Sequence, residues 1–189
     1  MSAVAKLNQT YGQQDPEEMD WLLRMVTGAK SILEIGSCFG HSLRLLASAA
    51  APGARICSID LGHGTHALKG EDTGAHLLRR VASLREQGFD AEVLLSDSSH
   101  PMAHLWAQWK GPFDFVFIDG DHSYAGSAGD WEMYGKLGKV VGFHDIAYEG
   151  HEVRQLWAEI KSSGEYRTDE KICSRMGIGI VYRKPQEIN

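Results

Sequence analysis

Cysteine is scarce in this chain. Cys38, Cys57 and Cys173 are spread over 189 residues. They are too few and too scattered for a disulfide framework, and reduced core thiols are the expectation. Long apolar runs are missing as well. None reaches the length needed to cross a bilayer, and nothing near the N-terminus pairs a basic stretch with an apolar one as a secretory leader does. The expected setting is therefore the cytoplasm, with no membrane partner. Basic charge is in deficit: 19 Lys and Arg stand against 25 Asp and Glu, a formal net charge of −6. That balance disfavours gripping a nucleic-acid backbone, and the basic stretch at Arg79, Arg80 and Arg85 reads as the solvated face of a helix. Repeats, low-complexity tracts and an interdomain linker are also absent. The length suits one domain with a sizeable core.

What is present is a series of apolar segments that each end in a polar or glycine cluster. Ser31-Ile-Leu-Glu-Ile35 is followed by Gly36-Ser-Cys-Phe-Gly40 and then a helical pattern over 41–50. A strand that turns on glycine into a helix is the nucleotide-binding corner of an open α/β sheet. The spacing is neither the dinucleotide fingerprint nor a P-loop. Asp15-Pro16-Glu17-Glu18 predicts a helix start with Asp15 as N-cap and Glu18 completing a capping box. Further strands are predicted over 55–60, 91–96, 113–118 and 139–143, with helices over 75–87, 102–110 and 149–162 and a loop and helix over 120–137. Two closing strands, 166–172 and 178–183, have no helical pattern between them. The near-continuous apolar strands imply a parallel sheet covered on both faces, with an antiparallel hairpin at one edge. The expected fold is thus α/β: a Rossmann-like, seven-stranded, mostly parallel sheet. An N-terminal segment and helix over 1–28, a lid or oligomer contact, precedes a main domain over 29–189.

In such sheets ligands bind off the carboxyl ends of the strands. Glu34 with Gly36, Asp60, Asp97 with Ser98, Asp119-Gly-Asp-His122 and His144-Asp145 should therefore converge on one crevice. Asp60 ends a strand about 20 residues after the glycine turn, where an acid can accept from both ribose hydroxyls. Asp97 and Ser98 suit either an adenine edge or the start of the helix that follows, with Ser98 or Ser99 as N-cap.

The run Leu-Glu-Ile-Gly-Ser-x-x-Gly-x-Ser resembles the first motif of class I S-adenosylmethionine (SAM) dependent methyltransferases. The strand ends Ile118-Asp119-Gly-Asp-His122-Ser-Tyr124 and Phe143-His144-Asp145 resemble those of the metal-dependent O-methyltransferases of the catechol and macrocin type. The resemblance covers residues 31–183. It implies a SAM site built from Glu34, Gly36, Ser37, Phe39, Gly40, Ser42, Asp60, Asp97, Ser98 and Asp119. It places a divalent metal, magnesium or manganese, on Asp119, His144 and Asp145. His122 falls on the general base, with Asp119 as its catalytic companion. The family usually carries an acid where His144 stands, and imidazole shifts the preference toward manganese, iron, zinc or nickel. The implied reaction methylates a hydroxyl of a sugar or other small natural product, with no nucleic-acid partner and with a homo-oligomer as an option. Metal-independent methyl transfer with His122 alone as base, a non-catalytic SAM-binding protein, and a site like that of non-haem iron enzymes remain open. His63 and His66 are candidates for substrate or metal contact, Tyr124 for the substrate pocket. Trp131 and Tyr134 read as core or an oligomer contact, and His100, His104 and His151 are given no role.

Overall fold

The computed structural model of the chain describes residues 15–63, 72–173 and 176–183. The expected arm over 1–14, His66 and most of the loop over 61–74 lie outside them. The strands are β1 (Ser31–Ile35), β2 (Arg55–Asp60), β3 (Asp90–Leu95), β4 (Phe113–Ile118), β5 (Gly138–His144), β6 (Arg167–Lys171) and β7 (Ile178–Tyr182). They form one sheet in the order β3-β2-β1-β4-β5-β7-β6. β1 to β5 run parallel, and β7 pairs antiparallel with both β5 and β6. The chain moves outward from β1 to β3 and then returns to lay β4 on the other side of β1. That reversal opens a crevice at the carboxyl ends of β1 and β4.

The helices are α1 (Pro16–Val26), α2 (His41–Ala49), α3 (Thr73–Glu86), α4 (Pro101–Lys110), α5 (Tyr124–Tyr134) and α6 (Val153–Ser163). Successive strand residues point to opposite faces, and each face carries its own core. Ile32, Ile56, Phe115 and Phe117 pack with Met19 of α1, Leu43 of α2 and Leu77 of α3. Leu33, Cys57, Val116 and Phe143 pack with Ala103 of α4, Tyr134 of α5 and Trp157 of α6. Burial on both faces is why the central strands read as near-continuous apolar runs. β6, Arg-Thr-Asp-Glu-Lys, lies at the edge, where its charges discourage pairing with another chain.

Local expectations change in three places. The N-cap of α4 is His100, not Ser98 or Ser99: its Nδ1 accepts from Met102 N at 3.2 Å. α6 begins at Val153, not Glu149, because residues 145–152 turn back toward β4. Glu152 N donates to the His122 carbonyl at 3.0 Å, and the Glu152 carboxylate accepts from Tyr124 N at 2.8 Å. Glu18, expected to complete a capping box, sends its buried carboxylate across the molecule instead. It accepts from Cys173 N at 2.7 Å and Gly177 N at 3.2 Å. α1 is thereby tied to the closing hairpin as well as packed through Met19, Leu22 and Val26. Glu18→Ala strands two backbone donors, and a loss of ~2–4 kcal/mol is expected. Chemical denaturation measures it; a variant as stable as the parent would show that the carboxylate does not hold the hairpin.

Candidate active site

β1 leads into the glycine turn, and Glu34 organises that turn from below. Its fully buried carboxylate accepts from the Ser37 hydroxyl, and Ser37 lies 2.7 Å from the Ser58 hydroxyl on β2. Burial pushes the Glu34 carboxyl up to about 8, against hydrogen bonds from Ser37 and Ser42. Its position under the turn makes Glu34 a support for the loop. Ser37 and Ser42 are likewise buried.

The folded state therefore holds the Glu34 proton more tightly than the unfolded chain does. This group's contribution is most favourable below about 4.5 and is lost as pH rises toward about 8. Glu34→Gln mimics the protonated form. Relative to it, the parent protein is expected to lose ~1–3 kcal/mol between pH 6 and 9. Denaturation across that range tests the point; parallel profiles would mean that Glu34 does not titrate there.

Gly36 and Gly40 hold positive φ, 85° and 72°. Both glycines also pack closely against protein. A Cβ on Gly36 would stand 2.2 Å from the Asp119 carbonyl oxygen, and one on Gly40 would stand 2.8 Å from Arg80 Cγ on α3. The first glycine lets the ends of β1 and β4 meet; the second seats α2 against α3. α2, with Gly40 as its N-cap residue, starts without a side-chain cap, and its N-terminus lies at the carboxyl end of β1 beside the crevice.

Asp60 holds this corner together. Its Oδ2 accepts from Cys38 N at 2.8 Å and its Oδ1 from Gly62 N at 2.7 Å. Each oxygen keeps acceptor capacity for a further donor. Phe39 packs edge-on to His76, with ring centroids 5.3 Å apart. Asp97 is exposed and closes a turn on Ser99, accepting from its N and Oγ at 2.8 and 2.7 Å. The Ser98 carbonyl accepts from Tyr134 OH at 2.5 Å, and burial pushes the Asp130 carboxyl up to about 7.

The ends of β4 and β5 form the densest polar cluster. His144 Nδ1 lies 3.2 Å from Asp119 Oδ1 and 3.1 Å from Asp145 Oδ1. His122 Nε2 lies 3.4 Å from Asp145 Oδ2 and 3.7 Å from Asp119 Oδ1. The three residues expected to hold a metal, and the expected base, are therefore adjacent. Burial alone would raise the Asp119 carboxyl, but His144 and His122 hold it well below the usual carboxylate range. Burial alone would lower His144, but Asp119 and then Asp145 raise it to about 10. His122 is raised by the same two acids, against its burial.

His151, given no role from the sequence, belongs here: its Nδ1 lies 2.7 Å from Asp145 Oδ2. Its signal was a second histidine in the loops after β4 and β5, six residues past Asp145. Ser58 and Asp130 were also missed, and neither carries a local signal. Tyr124 turns its hydroxyl onto Glu159 at 2.6 Å, Trp131 and Tyr134 pack in the core, and His63 is exposed. Among the described residues, no helix is long and apolar enough to cross a membrane.

Residues 33–146 match the model of a family described as a methyltransferase domain. No match is found among curated proteins. Among solved structures, the chain is similar to the O-methyltransferase from Bacillus cereus in complex with S-adenosylhomocysteine (SAH). The TM-score is 0.64 at 19% identity, over 95% of this chain and 86% of that one. It is also similar to the O-methyltransferase TomG from Streptomyces achromogenes, involved in tomaymycin synthesis and solved with SAM. Here the TM-score is 0.61 at 19% identity, over 96% of this chain and 89% of that one. At these identities the likeness is one of fold.

Proposed function

Because this chain belongs to the methyltransferase-domain family, we propose that it is a SAM-dependent O-methyltransferase acting on a hydroxyl of a small molecule, with a divalent metal at Asp119, His144 and Asp145. The observation that carries this reading is the convergence of Asp60 with the Asp119–His144–Asp145 cluster along one end of the sheet. Solved structures of the same fold hold SAH and SAM.

Asp60 would accept from the ribose hydroxyls with the capacity left after Cys38 and Gly62. Bound at this corner, SAM would supply a methyl group from its sulfonium sulfur to the acceptor oxygen, with SAH as the leaving group. The donor set suits a metal: two carboxylates and an imidazole, spaced 3.1 and 3.2 Å, as ligands about 2.1 Å from one ion would be. When bound, the metal lowers the pKa of the acceptor hydroxyl and fixes its position. His122 takes the hydroxyl proton at a ring nitrogen, and Asp119 and Asp145 stabilise the imidazolium that results. The walls of the crevice align the reactants, which an in-line displacement chiefly needs.

Metal-free methyl transfer is the second reading. It is favoured by His144, whose Nδ1 already stands between the two carboxylates as a cation would.

The test is calorimetric titration with SAH, in manganese and in EDTA. Binding in both, with manganese binding separately, is expected. Asp60→Ala should weaken SAH by ~10- to 150-fold, the equivalent of a lost charged hydrogen bond of ~1.5–3 kcal/mol. No SAH binding by the parent protein would overturn the function, and undiminished binding by the variant would remove Asp60 from the ribose site. Manganese that fails to bind would leave the metal-free reading.

A further inference from the structure

Asp145 stands between two sets of donors. Its Oδ1 faces His144 and, through it, Asp119. Its Oδ2 lies 2.7 Å from His151 Nδ1 and 3.4 Å from His122 Nε2. Among the described residues two groups present ligand atoms within 4.8 Å of one another: Asp119, His144 and Asp145, and His122, Asp145 and His151. Only Asp145 belongs to both.

The second group is built rather than incidental. The rings of His122 and His151 stack with centroids 4.0 Å apart and planes 26° from parallel, so that one nitrogen of each meets the same carboxylate oxygen. The bond from Glu152 N to the His122 carbonyl clamps the two loops that carry them. Asp145 is held at φ 62°, in the left-handed region that non-glycine residues seldom adopt, and in this conformation its carboxylate lies between the two groups.

The sets differ in chemistry. Two carboxylates and one imidazole suit a harder ion, whereas two imidazoles and one carboxylate suit zinc and the other later transition metals. We propose that Asp145 bridges two cation sites, and that the second, on His122, Asp145 and His151, takes a divalent transition metal of the zinc class. Binding rests on these donors alone. Its consequence rests on the proposed function: an ion there occupies the nitrogen with which His122 accepts a proton. The first site then supports methyl transfer, while filling the second inhibits it.

Metal-stripped full-length protein, titrated with zinc and assayed for bound metal after gel filtration, tests this. Two ions per chain are expected in the parent protein. One is expected in His151→Ala and one in Asp119→Ala, with His151→Gln behaving like His151→Ala. Thermal unfolding of each variant confirms that it is folded. A single ion in the parent, or two in folded His151→Ala, would overturn the second site. A parallel SAH titration separates the two proposals: two ions without SAH binding would sink the methyl-transfer reading and leave the second site standing.

Discussion

Gly36→Ala is expected to remove a large part of the fold's stability. The added methyl would lie 2.2 Å from the Asp119 carbonyl oxygen and 2.5 Å from Gly120 Cα. Both are backbone atoms, so no rotamer change can relieve the overlap. The ends of β1 and β4 would have to separate, breaking the 2.9 Å bond from Asp119 N to the Ile35 carbonyl. Left-handed strain adds ~1–2 kcal/mol to an overpacking penalty of ~1–3 kcal/mol or more. A domain of this kind has ~5–15 kcal/mol in total. Gly28 and Gly88 provide the control. Both have positive φ, yet nothing lies within 4 Å of a Cβ at either, so alanine there should show the strain alone. Soluble yield and thermal unfolding of the three variants decide the matter. If Gly36→Ala melts with the two controls, the strand ends are not in close contact.

Asp119→Ala should leave the protein folded and still able to bind SAH, yet remove metal affinity and turnover. The Asp119 backbone, which carries the contact with Gly36, is unchanged. What disappears is the carboxylate 3.2 Å from His144 Nδ1 and 3.7 Å from His122 Nε2. Manganese affinity should fall by ~100-fold or more, since even residues that merely support ligands carry 10- to 100-fold. Turnover of a methyl acceptor should fall by ~1000-fold, the scale of a lost general-base contribution. Calorimetry with manganese and with SAH separates the two effects. Retained manganese binding would remove Asp119 from the metal site; lost SAH binding would place it in the cofactor pocket instead.

Much of this molecule was legible because its signals are local. Phe113–Ile118 is apolar apart from Asp114 because β4 is buried on both faces, and the apolar run stops where the crevice begins, so Asp119 was marked as a candidate site residue by position alone. The same reasoning located Asp60 and His144-Asp145. Glu18 misled because its local context, three residues after Asp15, describes a cap, whereas its carboxylate answers donors 155 and 159 residues away in sequence. His151 was passed over for a related reason. Its loop resembles the first turn of a helix, and only the clamp between Glu152 and His122 shows that the chain folds back there.

By itself the sequence determined the alternation of strands and helices, the buried faces and the acids at the strand ends. Each of these follows from the periodicity of apolar residues and from where it breaks. Tertiary structure decided which of those ends touch. The contact of Gly36 with Asp119, the support of Ser37 by Glu34 and Ser58, and the meeting of His122 and His151 on one oxygen of Asp145 depend on strand order and loop closure. Residues distant along the chain become neighbours only when the sheet has formed, and no local pattern records that.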